Sequence, residues 1–233
     1  YLNINLNSNE RINPFDLPRG MKDSEAHPGD LLRGAIVNMI GLLRLMLGVV
    51  TPSEEAIMER ALITTYSLKG ITMEDDSAEG KEIPLMKDFV SVLDTMDGAR
   101  WLVERLDKYV NGVFAWVFSE KTNVDLKDGL VVFSVRDLDE ILRPIAMYII
   151  LNYVWNVARS SEKKRTLVVD EAWNIMQYED SAKFLFGLVK RARKYGLWVT
   201  TITQDVEDFM QNQFGKAIVT NSSIQLLLKQ SPA

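Results

Sequence analysis

The sequence predicts an α/β protein in which a mainly parallel sheet carries an inserted all-helical subdomain. Between Asp30 and Val110 apolar positions recur on helical spacing, with no strand-like run separating the helices. From Leu130 onward the texture changes, and short β-branched runs alternate with helical stretches. Strand–helix–strand alternation with crossovers of that length implies parallel, right-handed βαβ units. The length of 233 residues, with 47% hydrophobic and 25% charged residues, suits one core with an insertion better than two separate domains. The expected division is 1–29 for the start of the core, 30–112 for the helical subdomain and 113–233 for the rest of the core.

Each element has a local reason. Tyr1–Leu6 alternates Leu2, Ile4 and Leu6 with Asn3 and Asn5, a period of two that suggests a half-buried edge strand. Asn13-Pro14-Phe15-Asp16 punctuates the chain, and Pro18 and Gly20 keep it irregular to about Gly29. Asp30–Leu47 has helical apolar spacing; Arg33, Asn38 and Arg44 interrupt it well short of the roughly 20 apolar residues a membrane span needs, so it reads as a core helix. Thr51-Pro52-Ser53-Glu54 starts a helix that runs to about Tyr66, with Thr as N-cap, Pro at the first position and Glu completing a capping box. Met73–Glu82 is an acidic, solvated loop. Pro84–Met96 and Ala99–Val110 are amphipathic helices, the second with Trp101, Leu102, Leu106, Tyr109 and Val110 on its apolar face.

In the second half, Leu130–Val135 reads as a buried strand and Leu138–Arg159 as a long apolar helix with Pro144 near its first turns. Arg165–Val169 follows as a strand, and its apolar run Leu167–Val169 fits burial on both faces. Ser181–Tyr195 is a helix closed by Gly196, Leu197–Thr203 a strand, Phe209–Thr220 a helical or turn-rich connection, and Ile224–Leu228 a last strand.

Composition removes several function classes. The formal net charge is −5 and the pI about 5.1, so no global basic field indicates nucleic acid. Absent cysteines exclude disulfides and thiolate metal sites. The single histidine, His27, sits in a Pro/Gly loop and reads as an exposed loop residue. The first ten residues do not resemble a signal peptide. With no initiator Met, the chain reads as part of a longer one.

The chemistry concentrates on strand ends, since ligands of open parallel sheets bind beyond the C-terminal ends of the strands. The Arg165–Val169 strand ends in Asp170-Glu171, the Walker B arrangement of nucleotide-hydrolysing domains. There the first carboxylate serves the Mg²⁺ shell and the second orients or deprotonates the attacking water. The competing reading is an acidic first helical turn. At the next strand end stand Thr203-Gln204-Asp205, where Gln204 could hold water or sense a γ-phosphate, or the pair could cap the following helix. Lys229-Gln230 ends the final predicted strand. Lys190-Arg191-Ala192-Arg193-Lys194 is the one dense basic run; the helix dipole explains it, and Arg193 is also a candidate arginine finger acting across a subunit interface. No Gly-x-x-x-x-Gly-Lys-Ser/Thr phosphate cradle occurs.

Ile12–Asp16, Leu167–Trp173, Arg193–Gly196, Thr203–Asp205 and Asn221–Gln230, in that order, resemble the C-terminal ATPase domain of the VirB/TraC/CagE-type conjugation and type IV secretion ATPases. These are RecA-like P-loop NTPases, related to coupling proteins and FtsK/HerA pumps. The resemblance runs over nearly the whole chain. It implies ATP and Mg²⁺ as cofactors, Asp170 for Mg²⁺, Glu171 as catalytic carboxylate, Arg193 as finger, Gln204 as γ-phosphate sensor, and Lys229 and Gln230 near the nucleotide. It places the phosphate loop upstream of Ile12–Asp16, beyond Tyr1, so this chain alone is expected to be inactive. It further implies homo-oligomers up to hexamers, secretion-channel and coupling proteins as partners, and a place at the cytoplasmic face of the bacterial inner membrane. Two other readings stand beside export: a DNA-translocating pump, against which the acidic balance argues, and a non-catalytic docking module.

Overall fold

The computed structural model describes residues 1–4, 8–18, 27, 29–75, 78–118, 120–127, 129–204 and 206–228. They form two compact units, Tyr1–Lys163 and Lys164–Ala233.

In the first unit, strand β1 (Leu2–Asn3) pairs in parallel with β2 (Phe133–Ser134), Leu2 opposite Phe133 and Asn3 opposite Ser134. The chain between these neighbours runs through helices α1 (Asp30–Leu47), α2 (Pro52–Leu68), α3 (Met86–Asp94), α4 (Arg100–Val110) and α5 (Ala115–Phe118). The helical block is thus carried in the crossover between two adjacent parallel strands. Strand β2 is shorter than its sequence pattern suggests, and Asn5 and Leu6 of the first pattern lie outside the described residues. Leu130 and Val132 are 81% and 41% exposed, so Leu130–Val135 is not a buried strand, and only Phe133 and Ser134 form the paired strand.

The helices follow their local signals. Helix α1 begins and ends at the expected residues and buries Leu32, Ile36, Met39 and Leu43 along one face. Among the described residues no helix is long and apolar enough to cross a membrane. Helix α2 has the predicted capping box: the Glu54 N–H donates to Thr51 Oγ1 at 3.3 Å, and the Thr51 N–H to Glu54 Oε2 at 2.7 Å. Helix α4 buries Leu102, Leu106 and Tyr109, but Trp101 is 60% exposed. It stands one residue, about 100° of helical rotation, off the buried stripe. Helix α6 (Leu142–Arg159) is buried on nearly all sides, and Pro144 is its third residue, where the missing N–H has no intrahelical partner to lose.

The Asn13–Asp16 turn fastens this unit together. Asn13 is buried; its side-chain NH₂ donates to Pro84 O (2.9 Å), and its Oδ1 accepts from the Phe15 N–H (3.2 Å). Phe15 is fully buried against Tyr66 and Phe89, with ring centroids at 5.9 and 6.1 Å. The Asn156 amide of α6 donates to Asp16 O at 2.9 Å. A turn that looks like loop punctuation in the sequence therefore ties together α2, α3 and α6.

The second unit is a βαβ arrangement. Strands β3 (Arg165–Val169) and β4 (Leu197–Thr201) pair in parallel from Arg165 opposite Leu197 to Val169 opposite Thr201. The crossover contains α7 (Trp173–Met176), α8 (Glu179–Ala192) and a 3₁₀ turn at Arg193–Tyr195. Gly196 ends it in the left-handed conformation (φ 63°), as the C-cap position requires. Helices α9 (Val206–Gln211) and α10 (Gln213–Asn221) follow β4.

Two expectations for this unit are corrected. Strand β3 alternates instead of being buried on both faces: Thr166 and Val168 are exposed, as are Trp198 and Thr200 on β4, so one face of this two-stranded sheet carries no cover among the described residues. Ile224–Leu228 is not a strand. It pairs with neither β3 nor β4, and Ile224, Leu226, Leu227 and Leu228 are 77–85% exposed. An apolar run becomes a strand only where a sheet edge receives it.

Candidate active site

Parallel pairing brings the ends of β3 and β4 to the same side of the sheet. The ladder continues one step past the strands: the Ile202 N–H donates to Val169 O (2.8 Å), and the Ala172 N–H to Ile202 O (2.9 Å). These two bonds anchor both sides of the Asp170-Glu171 dipeptide. The backbone between them turns sharply. Glu171 has φ 50°, the one non-glycine residue in the left-handed region among those described. That conformation costs roughly 1–2 kcal/mol for an L-residue, and such residues cluster at functional sites.

The turn presents the Glu171 carboxylate to two donors. The Trp173 indole Nε1–H donates to Oε2 at 2.6 Å. The Gln204 Nε2–H₂ donates to Oε1 from beyond the end of β4. Gln204 is therefore bound to Glu171. Asp170 is exposed, and its Oδ1 accepts from the Glu171 N–H at 2.9 Å. Its second oxygen is a hard anionic donor at a strand end. The described residues contain no cluster of three or more metal-ligating side chains. A strand-end carboxylate is the kind of ligand through which Mg²⁺ is held, with phosphate oxygens and water completing its shell.

Asp170, Glu171 and Gln204 thus come together as the sequence suggested, whereas Arg193 does not join them. It is exposed in the 3₁₀ turn that precedes β4. The five residues of β4 separate it from the Asp170-Glu171 end, roughly 16 Å at about 3.3 Å per residue. Lys190, Arg191 and Lys194 are exposed at the same remote end, and Arg191 Nε–H donates to Gly187 O (2.9 Å), four residues earlier on its own helix. Asp205, Lys229 and Gln230 lie outside the described residues. His27 is exposed, its main-chain N–H donating to Asp30 Oδ2 at 2.9 Å.

Sequence reasoning missed Trp173. It closes the motif at Leu167–Trp173, yet its apolar bulk disguises it as core. The usable signal was chemical: an indole is a donor with no acceptor of its own, and two residues before it stands a carboxylate.

With this geometry in place, three likenesses bear on identity. The family model of the TraG P-loop domain matches residues 92–232. The structure of VirB4 of Thermoanaerobacter pseudethanolicus superposes with a TM-score of 0.82 at 25% identity, over 95% of this chain and 62% of that one. The DNA import protein CedB of Sulfolobus acidocaldarius is 32% identical over 88 residues, which is 36% of this chain and 15% of CedB. The chain thus spans under two thirds of the VirB4 structure and a small part of CedB. The α/β architecture, the strand-end carboxylates and the family match agree: the chain belongs to the TraG P-loop domain family, with the fold of a VirB4/TraC-type ATPase domain.

Proposed function

We propose that this chain supplies the Walker B half of an ATPase that powers type IV secretion or conjugation. The observation that carries the reading is the pairing of Glu171 with Gln204 at the C-terminal ends of neighbouring parallel strands, beside an exposed Asp170. In this reading Asp170 holds Mg²⁺, which when bound neutralises phosphate charge. Glu171 holds the attacking water and takes its proton, and Gln204 senses the γ-phosphate through an amide that both donates and accepts. Arg193 serves a neighbouring subunit's nucleotide, and Lys229 and Gln230 lie close to the nucleotide. The helical block 30–112 acts as the moving subdomain that hydrolysis shifts. Copies of the chain assemble into a ring of up to six, docked with channel and coupling proteins at the cytoplasmic face of the inner membrane.

The 233 residues contain no phosphate cradle. By themselves they are expected to hydrolyse no ATP, and a chain extended to include a P-loop is expected to do so. In that longer chain Glu171→Gln should abolish turnover while nucleotide binding persists. Robust hydrolysis by the variant would remove the role given to Glu171.

A second reading, DNA movement, is favoured by one observation. Residues 164–233 carry nine Lys and Arg against seven Asp and Glu, a balance opposite in sign to that of the whole chain. The DNA import protein CedB is a partial relative. ATPase activity stimulated by DNA, and lost as salt rises, would select this reading over protein export.

A further inference from the structure

We propose that Trp173 and Gln204 form a two-donor clamp on Glu171, in which Trp173 is a fixed positioning residue and Gln204 a releasable arm whose departure makes Glu171 a stronger base toward water. The inference rests on the ATPase reading for its last step, and on geometry alone for the clamp.

Both carboxylate oxygens of Glu171 are engaged, Oε2 by the indole N–H at 2.6 Å and Oε1 by the Gln204 amide. An ionised carboxylate only accepts, so each bond is charge-assisted, and each takes one acceptor site and lowers the basicity of its oxygen. The two donors are held very differently. Trp173 is two residues from Glu171 on the same tight turn. The Ala172 between them is fully buried, with its N–H fixed to Ile202 O, and Ile175 beyond is buried as well. The indole has one donor, and it is given to Glu171 within the same short segment, so its bond persists as long as the turn does. Gln204 is exposed, lies three residues past the end of β4, and comes to Glu171 from 33 residues away in the chain. Its amide is a neutral arm with a second possible anionic acceptor, a γ-phosphate.

A single amide moved from one anion to another couples two events. While Gln204 holds Oε1, the carboxylate is parked and that oxygen is a weaker base toward a water proton. Contact with a γ-phosphate draws the amide off, freeing Oε1, while Trp173 keeps the carboxylate aimed through Oε2. Hydrolysis without a correctly seated nucleotide is thereby suppressed. The left-handed φ of Glu171 suits this role, because a residue in that conformation is held by its surroundings and does not drift when one bond is lost.

The test is ¹⁵N NMR of side-chain amides and indoles, with Trp173→Phe and Gln204→Ala used to assign the signals. In the nucleotide-free chain, the Trp173 indole proton is expected downfield of the other four tryptophans, and it should return among them in Glu171→Ala. A Trp173 signal in the ordinary indole position would overturn the clamp. In a chain that includes a P-loop, ADP with beryllium fluoride and Mg²⁺ mimics the γ-phosphate. The Gln204 amide is then expected to shift and the Trp173 indole to stay. Binding that moves many resonances but leaves Gln204 in place would overturn the release. If no resonance responds to nucleotide, the ATPase reading fails, and the nucleotide-free indole signal still decides the clamp. In the same longer chain, Trp173→Phe should lower kcat about tenfold, the effect of one charge-assisted bond, with KM for ATP kept.

Discussion

The hydroxyl of Tyr66 donates a 2.9 Å hydrogen bond to the main-chain oxygen of Phe15, and both residues are fully buried. This bond joins α2 to the Asn13–Asp16 turn, and the two rings also touch at a tilt of 50°. Tyr66→Phe keeps the ring and deletes only the donor, leaving a buried carbonyl without that partner. The expected loss is about 1–3 kcal/mol, read as a lower urea midpoint with an unchanged m-value. A variant as stable as the wild type would mean that the turn is not a fastening point.

Burial also pushes the Tyr66 phenol well above its ordinary range, with nearby Asp16 adding to the rise, and burial moves Tyr109 up to about 12. Both folded-state values lie above the unfolded value near 10. Below pH 10 both states are protonated and stability is unaffected. Above it the unfolded chain loses protons that the folded chain keeps, so stability falls as pH rises. Melting temperature should therefore decline from about pH 10 upward, and less steeply in Tyr66→Phe. A flat profile between pH 10 and 12 would contradict the burial of these phenols.

The sequence made some of this legible and hid the rest for identifiable reasons. Helix α1 and the α2 cap were readable because periodicity and the Thr51–Glu54 box are local signals that no distant contact overrides. Asp170 and Gln204 were readable because parallel strands deliver their ends to one side. Ile224–Leu228 misled because β-propensity reports a side chain's fit to a sheet, and says nothing of whether a sheet edge is available. Trp101 misled because one residue of helical phase separates the stripe from the surface. The role of Asn13–Asp16 was invisible because its partners, Tyr66, Pro84 and Asn156, lie 51 to 140 residues away.

Asp75 and Lys81 close the acidic loop of the helical block by an ion pair, and the Thr72 N–H adds a second bond to the same carboxylate at 2.6 Å. The Lys81 bond, followed by those from Thr72, lowers the Asp75 carboxyl to about 2. A depressed folded value stabilises above the unfolded value near 3.9 and is lost as pH falls through about 2. Carboxyl ¹³C titration should place Asp75 near the bottom of the aspartate range, and Lys81→Met should raise it. The pair is solvent-accessible, so the effect on overall stability is expected to be small. An Asp75 midpoint that Lys81→Met leaves unchanged would remove Lys81 as the cause.

Arg193 stands at the end of β4 opposite to Glu171, since the five strand residues hold it roughly 16 Å from the Glu171 end. If it acts as a finger it must act on a neighbour, and the two roles then belong to different subunits. In a P-loop-containing chain Arg193→Ala should lower turnover by about 10³-fold or more, in the range of other arginine fingers, with nucleotide binding largely kept. Mixing inactive Arg193→Ala with inactive Glu171→Gln is the sharper measurement. Some interfaces in the mixed assembly join an intact Arg193 from one variant to an intact Glu171 from the other, so activity should reappear. An Arg193 acting within its own subunit would leave every site in the mixture lacking one of the two groups, and the mixture would stay as inactive as its components.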